Sequence, residues 1–454
     1  MARTSGQATT SIQDSVVADN ASQNPADRGG GVFAYTSAGG RLDITRTTIS
    51  GSAADSGGGI VTTSTGNATV TMLQSTVSGN FANSYGGGIT IYNYFGSEVT
   101  ISESSISGNS SNARGGGVDA RTYVEATTTF ERSTISGNTA NTEGGGVRTL
   151  SGRMGMAVIH GSTLSGNVAP TGGGILNFSG ATDISHTTIT LNQATDGAGS
   201  GIATRATSDT VTSVQSSVVA GNVNSDIDAV GEGPVVITSL GYNIVGEGNQ
   251  IPLFTEHDQT GVTSPLLAPL AANGGPTLTH LPLPGSPVID AGDPAILTPP
   301  AIDQRGFYRI VDGDGDGVAR IDVGAVESSS PPPLAGDGNL DGTVDELDYI
   351  LWKGFFHDNP AHDPPAAPQN GDYNDDGVVD GLDYLVWADN YGRHLETVAS
   401  MSSSAEEQSA LSVAFEDDDA SALVIDDLLV MERQLSRAFD AVLGKAHEKR
   451  KCTD

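Results

Sequence analysis

Two stretches near the C-terminal end carry oxygen-bearing side chains at matched intervals. They read DGNLDGTVDELD (Asp337 to Asp348) and DYNDDGVVDGLD (Asp372 to Asp383). Each places Asp or Asn at loop positions 1, 3, 5, 9 and 12, with Gly at position 6. Oxygen ligands at this spacing wrap Ca²⁺ in a twelve-residue loop, the glycine permitting the sharp turn in its middle. The second copy starts 35 residues after the first, and the similar runs LDYILW and LDYLVW follow the two loops. A single DxNxDG is a common turn, whereas two matched loops with matched helices predict two Ca²⁺ sites. A third acidic run, Asp312, Asp314 and Asp316 before Gly317, has no acid at position 12. It reads either as a partial Ca²⁺ site or as an Asx-rich turn.

A different chemistry is offered by VDARTYVEA, where Asp119 and Arg121 fall two apart on one strand face with Glu125 nearby. Glycoside hydrolysis needs two carboxylates about 5–10 Å apart, and a lyase needs acidic Ca²⁺ ligands plus a base. Asp119, Arg121 and Glu125 are the candidate catalytic residues, with Glu131, Arg132, Glu143, Arg148 and Arg114 on adjacent repeats. The competing reading is a solvated strand face laced with ion pairs between repeats. The eight histidines form no paired-ligand spacing, and Gly-x-Ser-x-Gly is absent.

The elements that must carry these residues are repeats. Triple-glycine steps start at Gly29, Gly57, Gly86, Gly115, Gly144 and Gly172, and a GSG starts at Gly199, at intervals of 27 to 29 residues. Ahead of most lies a second mark, as in STVSGN ending at Asn80 and STISGN ending at Asn138. A fixed period in this range signals a solenoid. The repeats are rich in Thr, Ser, Val, Ile and Gly and alternate with period two, so their unit is the strand. The fold class expected is mainly β: a right-handed parallel β-helix solenoid, followed by a small α-helical Ca²⁺ module. Coils would stack ~4.8 Å apart into a rod on the order of 35 Å long. Gly would serve a tight corner and Asn an axial ladder of amides.

The domain reading is a β-helix over 1–230, a β-rich cap over 231–327, a Pro/Ser linker over 328–335, the paired-loop module over 336–394 and an acidic tail over 395–454. Within the tail, Val424 to Leu443 puts Ile425, Leu428, Leu429, Leu435, Phe439 and Val442 on one helical stripe.

The paired loops resemble a type I dockerin, with Asp rather than Glu at position 12 and one helix after each loop. The resemblance covers about residues 336–394. It implies side-chain ligands Asp337, Asn339, Asp341, Asp345 and Asp348 in the first loop, and Asp372, Asn374, Asp376, Asp380 and Asp383 in the second. Thr343 and Val378 would supply backbone carbonyls. It also implies a cohesin-like or other surface protein as partner. Dockerins usually recognise cohesin with small hydroxyl residues at positions 10 and 11. Here those positions hold Glu346–Leu347 and Gly381–Leu382, a departure that separates the calcium expectation from the cellulosomal one. The SGN…GGG coils are similar to the repeats of polymorphic outer-membrane proteins. The stretch from SLGYNIVGEG to IDVGAVE resembles the choice-of-anchor Q segment that closes bacterial β-helix surface proteins.

Bulk properties narrow the function. Acids outnumber bases 54 to 21, giving a formal net charge of −33, a field that disfavours nucleic acid and anionic membranes. The lone cysteine, Cys452, cannot form a disulfide within the chain, and no apolar run is long enough to span a membrane. The first residues, MARTSGQATTSIQDS, lack the apolar centre of a signal peptide, yet loops of this kind favour an extracellular or cell-surface location. The preferred expectation is a non-catalytic β-helix protein for adhesion or polysaccharide binding, with the Ca²⁺ module as its attachment handle. The alternative is a polysaccharide lyase or glycoside hydrolase tethered through that module.

Overall fold

A computed structural model of the chain describes residues 2–21, 28–205, 210–233, 236–255, 257–296, 300–328, 333–357, 370–374 and 378–394. From Ala2 to Thr260 the described residues form a parallel β-solenoid. A typical turn supplies the strands Ile89–Tyr94, Glu98–Ser102, Ser105–Ser107 and Ser110–Ser111. Each pairs in parallel with its counterpart one turn on, Tyr92 opposite Arg121, Ile101 opposite Phe130 and Ile106 opposite Ile135. The spacing of the glycine steps is therefore the register of the sheets. Two faces merge through the long strand Ile175–Ser185 into one 17-stranded sheet, and a third face stacks ten strands.

Alternation within each strand sends one side chain in two to the axis. Equivalent inward positions form unbroken apolar columns, such as Ile44, Met72, Ile101, Phe130, Ile159, Ile184 and Val214, each at most 3 % exposed. Burying such a side chain is worth roughly 1.5–3 kcal/mol, so the columns drive the stacking.

The three glycines of each step answer three different constraints. The first takes positive φ, 63° at Gly115. A Cβ on the second would lie 2.5 Å from the next turn's backbone, as at Gly116 against Gly145 O. The third faces the ladder asparagine, and a Cβ on Gly117 would sit 3.1 Å from the Asn138 amide. The ladder itself runs through Asn80, Asn109, Asn138, Asn167, Asn192 and Asn222, each Nδ2 donating to the next Oδ1 at 2.9–3.0 Å. Its last rung is Asp226, whose Oδ1 accepts from Asn222 at 2.8 Å. A second ladder, unread in the sequence, passes through the hydroxyls of Ser104, Ser133, Ser162, Thr187 and Ser217 to Asn243 and ends on Asp258.

Parallel pairing continues past residue 230 through Val236–Ser239, Ile244–Val245 and Gln259–Thr260. The chain then doubles back along the third face instead of only covering the open end. Gln304 Nε2 donates to Thr134 Oγ1 at 2.9 Å, His280 Nε2 meets Ser165 Oγ at 2.9 Å, and Ala325 N donates to Thr188 Oγ1 at 3.0 Å. Thr134, Thr163 and Thr188 are thereby buried, whereas the equivalent Thr48, Thr76 and Ser105 stay partly open.

Beyond it come two helices, α1 (Glu346–Phe355) and α2 (Gly381–Asn390), each N-capped by an Asp in a capping box. No helix among the described residues is long and apolar enough to cross a membrane. The stripe between Val424 and Leu443, residues 329–332 of the linker and residues 358–369 between the two loops lie outside the described residues.

Candidate metal centre and the aromatic–arginine face

The duplicated loops build one pseudo-symmetric unit. Trp352 of α1 donates through Nε1 to Asp380 O at 2.9 Å, and Trp387 of α2 donates to Asp345 O at 2.8 Å. Each helix thus holds position 9 of the other loop. Val344 and Val379, both at position 8, are fully buried. Tyr349, Trp352, Tyr384 and Trp387 pack between the helices with ring centroids 5.2–6.3 Å apart.

In the first loop the carboxylates of Asp337 and Asp348 are fully buried. Asp337 accepts from Gly342 N at 2.9 Å, and the Tyr308 hydroxyl donates to it. Asp348 accepts from Asn339 N at 3.0 Å and Asp345 N at 2.8 Å. Burial raises the pKa of both acids above the usual carboxylate range, the discomfort that a bound cation relieves. Asn339 donates to Asp341 at 2.9 Å, and Asp341 accepts from Thr343 N, folding the loop on itself. Asp345 is taken up as the α1 cap. In the second loop Asp372 and Asp383 are fully buried, and Asp383 accepts from Tyr373 N and Asn374 N at 2.8 and 3.1 Å. Asp380 caps α2, Val378 lies just ahead of it, and Asp376 is outside the described residues. The donor set, hard oxygens with a glycine turn, fits Ca²⁺.

The third acidic run is rearranged relative to expectation. Asp312 and Asp314 come together with Asp290, all three offering oxygens within 4.8 Å, the only such group of acidic, His or Cys residues among the described residues. Asp316 turns away to pair with Arg320 at 3.1 Å. Asp290 lies 22 residues upstream of Asp312, where no local motif points to it.

The candidate catalytic trio is divided. Asp119 is fully buried and clamped by Arg121 Nε at 2.6 Å and Arg148 Nη1 at 3.0 Å. Glu125 stands exposed at the turn after the strand Val118–Tyr123, with a φ of 62°. Glu143 is met by Arg114, Arg148 and Arg205 at 3.3–3.6 Å. These guanidiniums also lie over rings, Arg121 at 4.1 Å from the Tyr85 centroid and Arg148 and Arg205 at 4.2 and 4.4 Å from Phe178. Tyr94 and Tyr123 stack beside them at 5.7 Å. The sequence placed Asp119 and Arg121 on one strand face but carried no sign of the aromatic partners, which arrive from other turns. The arrangement is a preorganised aromatic and cationic surface whose acids are consumed in ion pairs. No protein-family model, no curated protein and no solved structure matches the chain.

Proposed function

We propose that this chain is a secreted or cell-surface, non-catalytic protein for adhesion or polysaccharide binding, attached to a protein partner through a Ca²⁺-binding module of dockerin type. The solenoid is taken as right-handed, the hand that right-twisted parallel strands favour. The observation that carries the reading is a duplicated apolar patch. Leu347 and Ile350 on α1 are 56 and 62 % exposed, and their counterparts Leu382 and Leu385 on α2 are 55 and 53 % exposed. Apolar side chains repeated at the same exposed positions of both helices, on an acidic protein, suit a protein partner. Leu347 and Leu382 occupy loop position 11, so the contact would be apolar rather than hydroxyl-based. The clamped Asp119 supports binding over catalysis, and the arginine- and tyrosine-rich face suits sugar rings and their acidic groups.

The test is calorimetric titration of Ca²⁺ into the chelator-treated full chain, with hydrogen exchange read along it. Ca²⁺ should bind at two sites and protect α1 and α2 while leaving the strands unchanged. Absence of heat and of added protection would overturn the calcium reading. Retention of wild-type chain on immobilised polysaccharides without product release tests the rest, and release of oligosaccharide would refute it.

A further inference from the structure

Between the solenoid and the segment that doubles back along it lies a cavity of about 220 Å³. Arg132, His160 and His186 wall it from the turns, and Ala301, Ile302 and Arg309 from the returning segment. Arg309 is 1 % exposed. Its Nη2 donates to Asp322 O at 3.1 Å and to Gly324 O, but Nε and Nη1 have no protein acceptor.

The acids around this guanidinium are engaged elsewhere. Asp303 pairs with Arg305 at 2.7 Å and Glu131 with Arg132 at 2.6 Å. Asp322 accepts from Asp290 N and Ser328 N, and Glu327 from Val311 N and Asp322 N. Burial also pushes the Glu327 carboxyl well above the usual range. A buried guanidinium with free donors and no ion pair is strongly unfavourable unless an anion joins it.

The far wall supplies neutral polar groups. His186 is 6 % exposed and its Nδ1 has no partner. Its ring meets His160 edge-on at 5.5 Å, and His160 Nδ1 bonds Ser185 Oγ at 2.9 Å. Burial holds both imidazoles below their ordinary range, so near neutral pH each can donate one hydrogen bond and accept another. Asp322 and Glu327 act on this charge only through space, and a carboxylate in the cavity would accept from both unpartnered N–H groups at once, as a single water does not. A cavity of about 150 Å³ holds benzene, so this one has room for a substituted six-membered ring.

We propose that this cavity binds a small organic carboxylate of sugar-acid size, its carboxylate on the free N–H groups of Arg309 and its hydroxyls on His160 and His186. The site is separate from the aromatic–arginine face and from the C-terminal loops, and stands without either.

The experiment is calorimetry and thermal shift on the full chain with D-galacturonate, D-glucuronate, D-galactose and sulfate. A uronate should bind and raise Tm, with galactose and sulfate at least tenfold weaker. Arg309→Met should abolish the effect. Ala301→Trp, which fills the exposed mouth and keeps Arg309, should weaken uronate binding at least tenfold while the ligand-free Tm holds. If Arg309→Met fails to fold, Ala301→Trp decides. Equal binding of galactose, or of sulfate, would overturn the organic-carboxylate assignment. So would a wild-type-like Ala301→Trp, or no response to either uronate, which would mean water alone fills the cavity.

Discussion

Replacing Asn138 by Ala removes an inner rung of the asparagine ladder, and its cost can be worked from the bonds it breaks. Asn138 Oδ1 accepts from Asn109 N at 2.9 Å and from Asn109 Nδ2 at 3.0 Å. Its Nδ2 donates to Ile106 O and Asn167 Oδ1, both at 2.9 Å. After substitution Asn109 Nδ2 keeps Val77 O and Asn167 Oδ1 keeps the backbone N–H of residue 138. Two donors are left with nothing, the Asn109 backbone N–H and one N–H of its amide. Both rungs are at most 1 % exposed. An orphaned buried donor costs about 1–3 kcal/mol, so the expected loss is about 4 kcal/mol. Asn112→Ala is the control: its 3.4 Å contact to Asn83 belongs to an exposed stack, and its effect should stay within about 0.5 kcal/mol. Urea unfolding measures the difference. Hydrogen exchange localises it, because a solenoid unfolds as coupled turns rather than strictly two-state. A loss under about 1 kcal/mol for Asn138→Ala, or one equal to that of Asn112→Ala, would refute the ladder as a stabilising device.

Two glycines in the same turn should respond differently. Gly108→Ala meets no atom within 4 Å and pays only for its φ of 62°, roughly 1–2 kcal/mol. Gly116→Ala drives a Cβ to 2.5 Å from Gly145 O and should abolish folding of the neighbouring turns, visible as lost exchange protection. Equal Tm for the two variants would contradict the account. Acid should act through His186, whose pKa burial holds down at about 2. The unfolded chain binds the proton near pH 6.5 and the folded one does not, so stability falls as pH drops below about 6.5, by about 2 kcal/mol at pH 5. His186→Asn, which tolerates the 48° φ there, should lose that part of the pH dependence. An unchanged slope between pH 7 and 5 would exclude His186 as its source.

What could be read from the chain was whatever a repeat states locally. GGG and SGN recur because a positive φ, a backbone contact and an amide rung must each be met again in every turn. The hydroxyl ladder was equally written, in the first Ser of STVS, SSIS, STIS and STLS, but Ser also fills ordinary turns and does not draw the eye. The doubling back of the chain was not legible, since its contacts join Gln304 to Thr134 and Ala325 to Thr188, across more than a hundred residues without a repeated motif. Shorter separations, equally without a repeated motif, hid Asp290 from Asp312 and Phe178 from Arg148. The acidic loops stand out because their side chains recur at a fixed spacing, whereas the clamp on Asp119 includes Arg148 from the next turn.

Both axial ladders close on a carboxylate. Asp226 and Asp258 each accept twice through one oxygen, from the backbone and side-chain N–H groups of the last asparagine. A final rung has nothing above it to donate to, so exchanging the amide for an acid turns a repeatable joint into a terminus. Length in such a molecule is then a modular trait. Duplicating the stretch from Asn109 to Gly137 would reproduce every rung and glycine contact, extend the rod by ~4.8 Å and leave both stops in place.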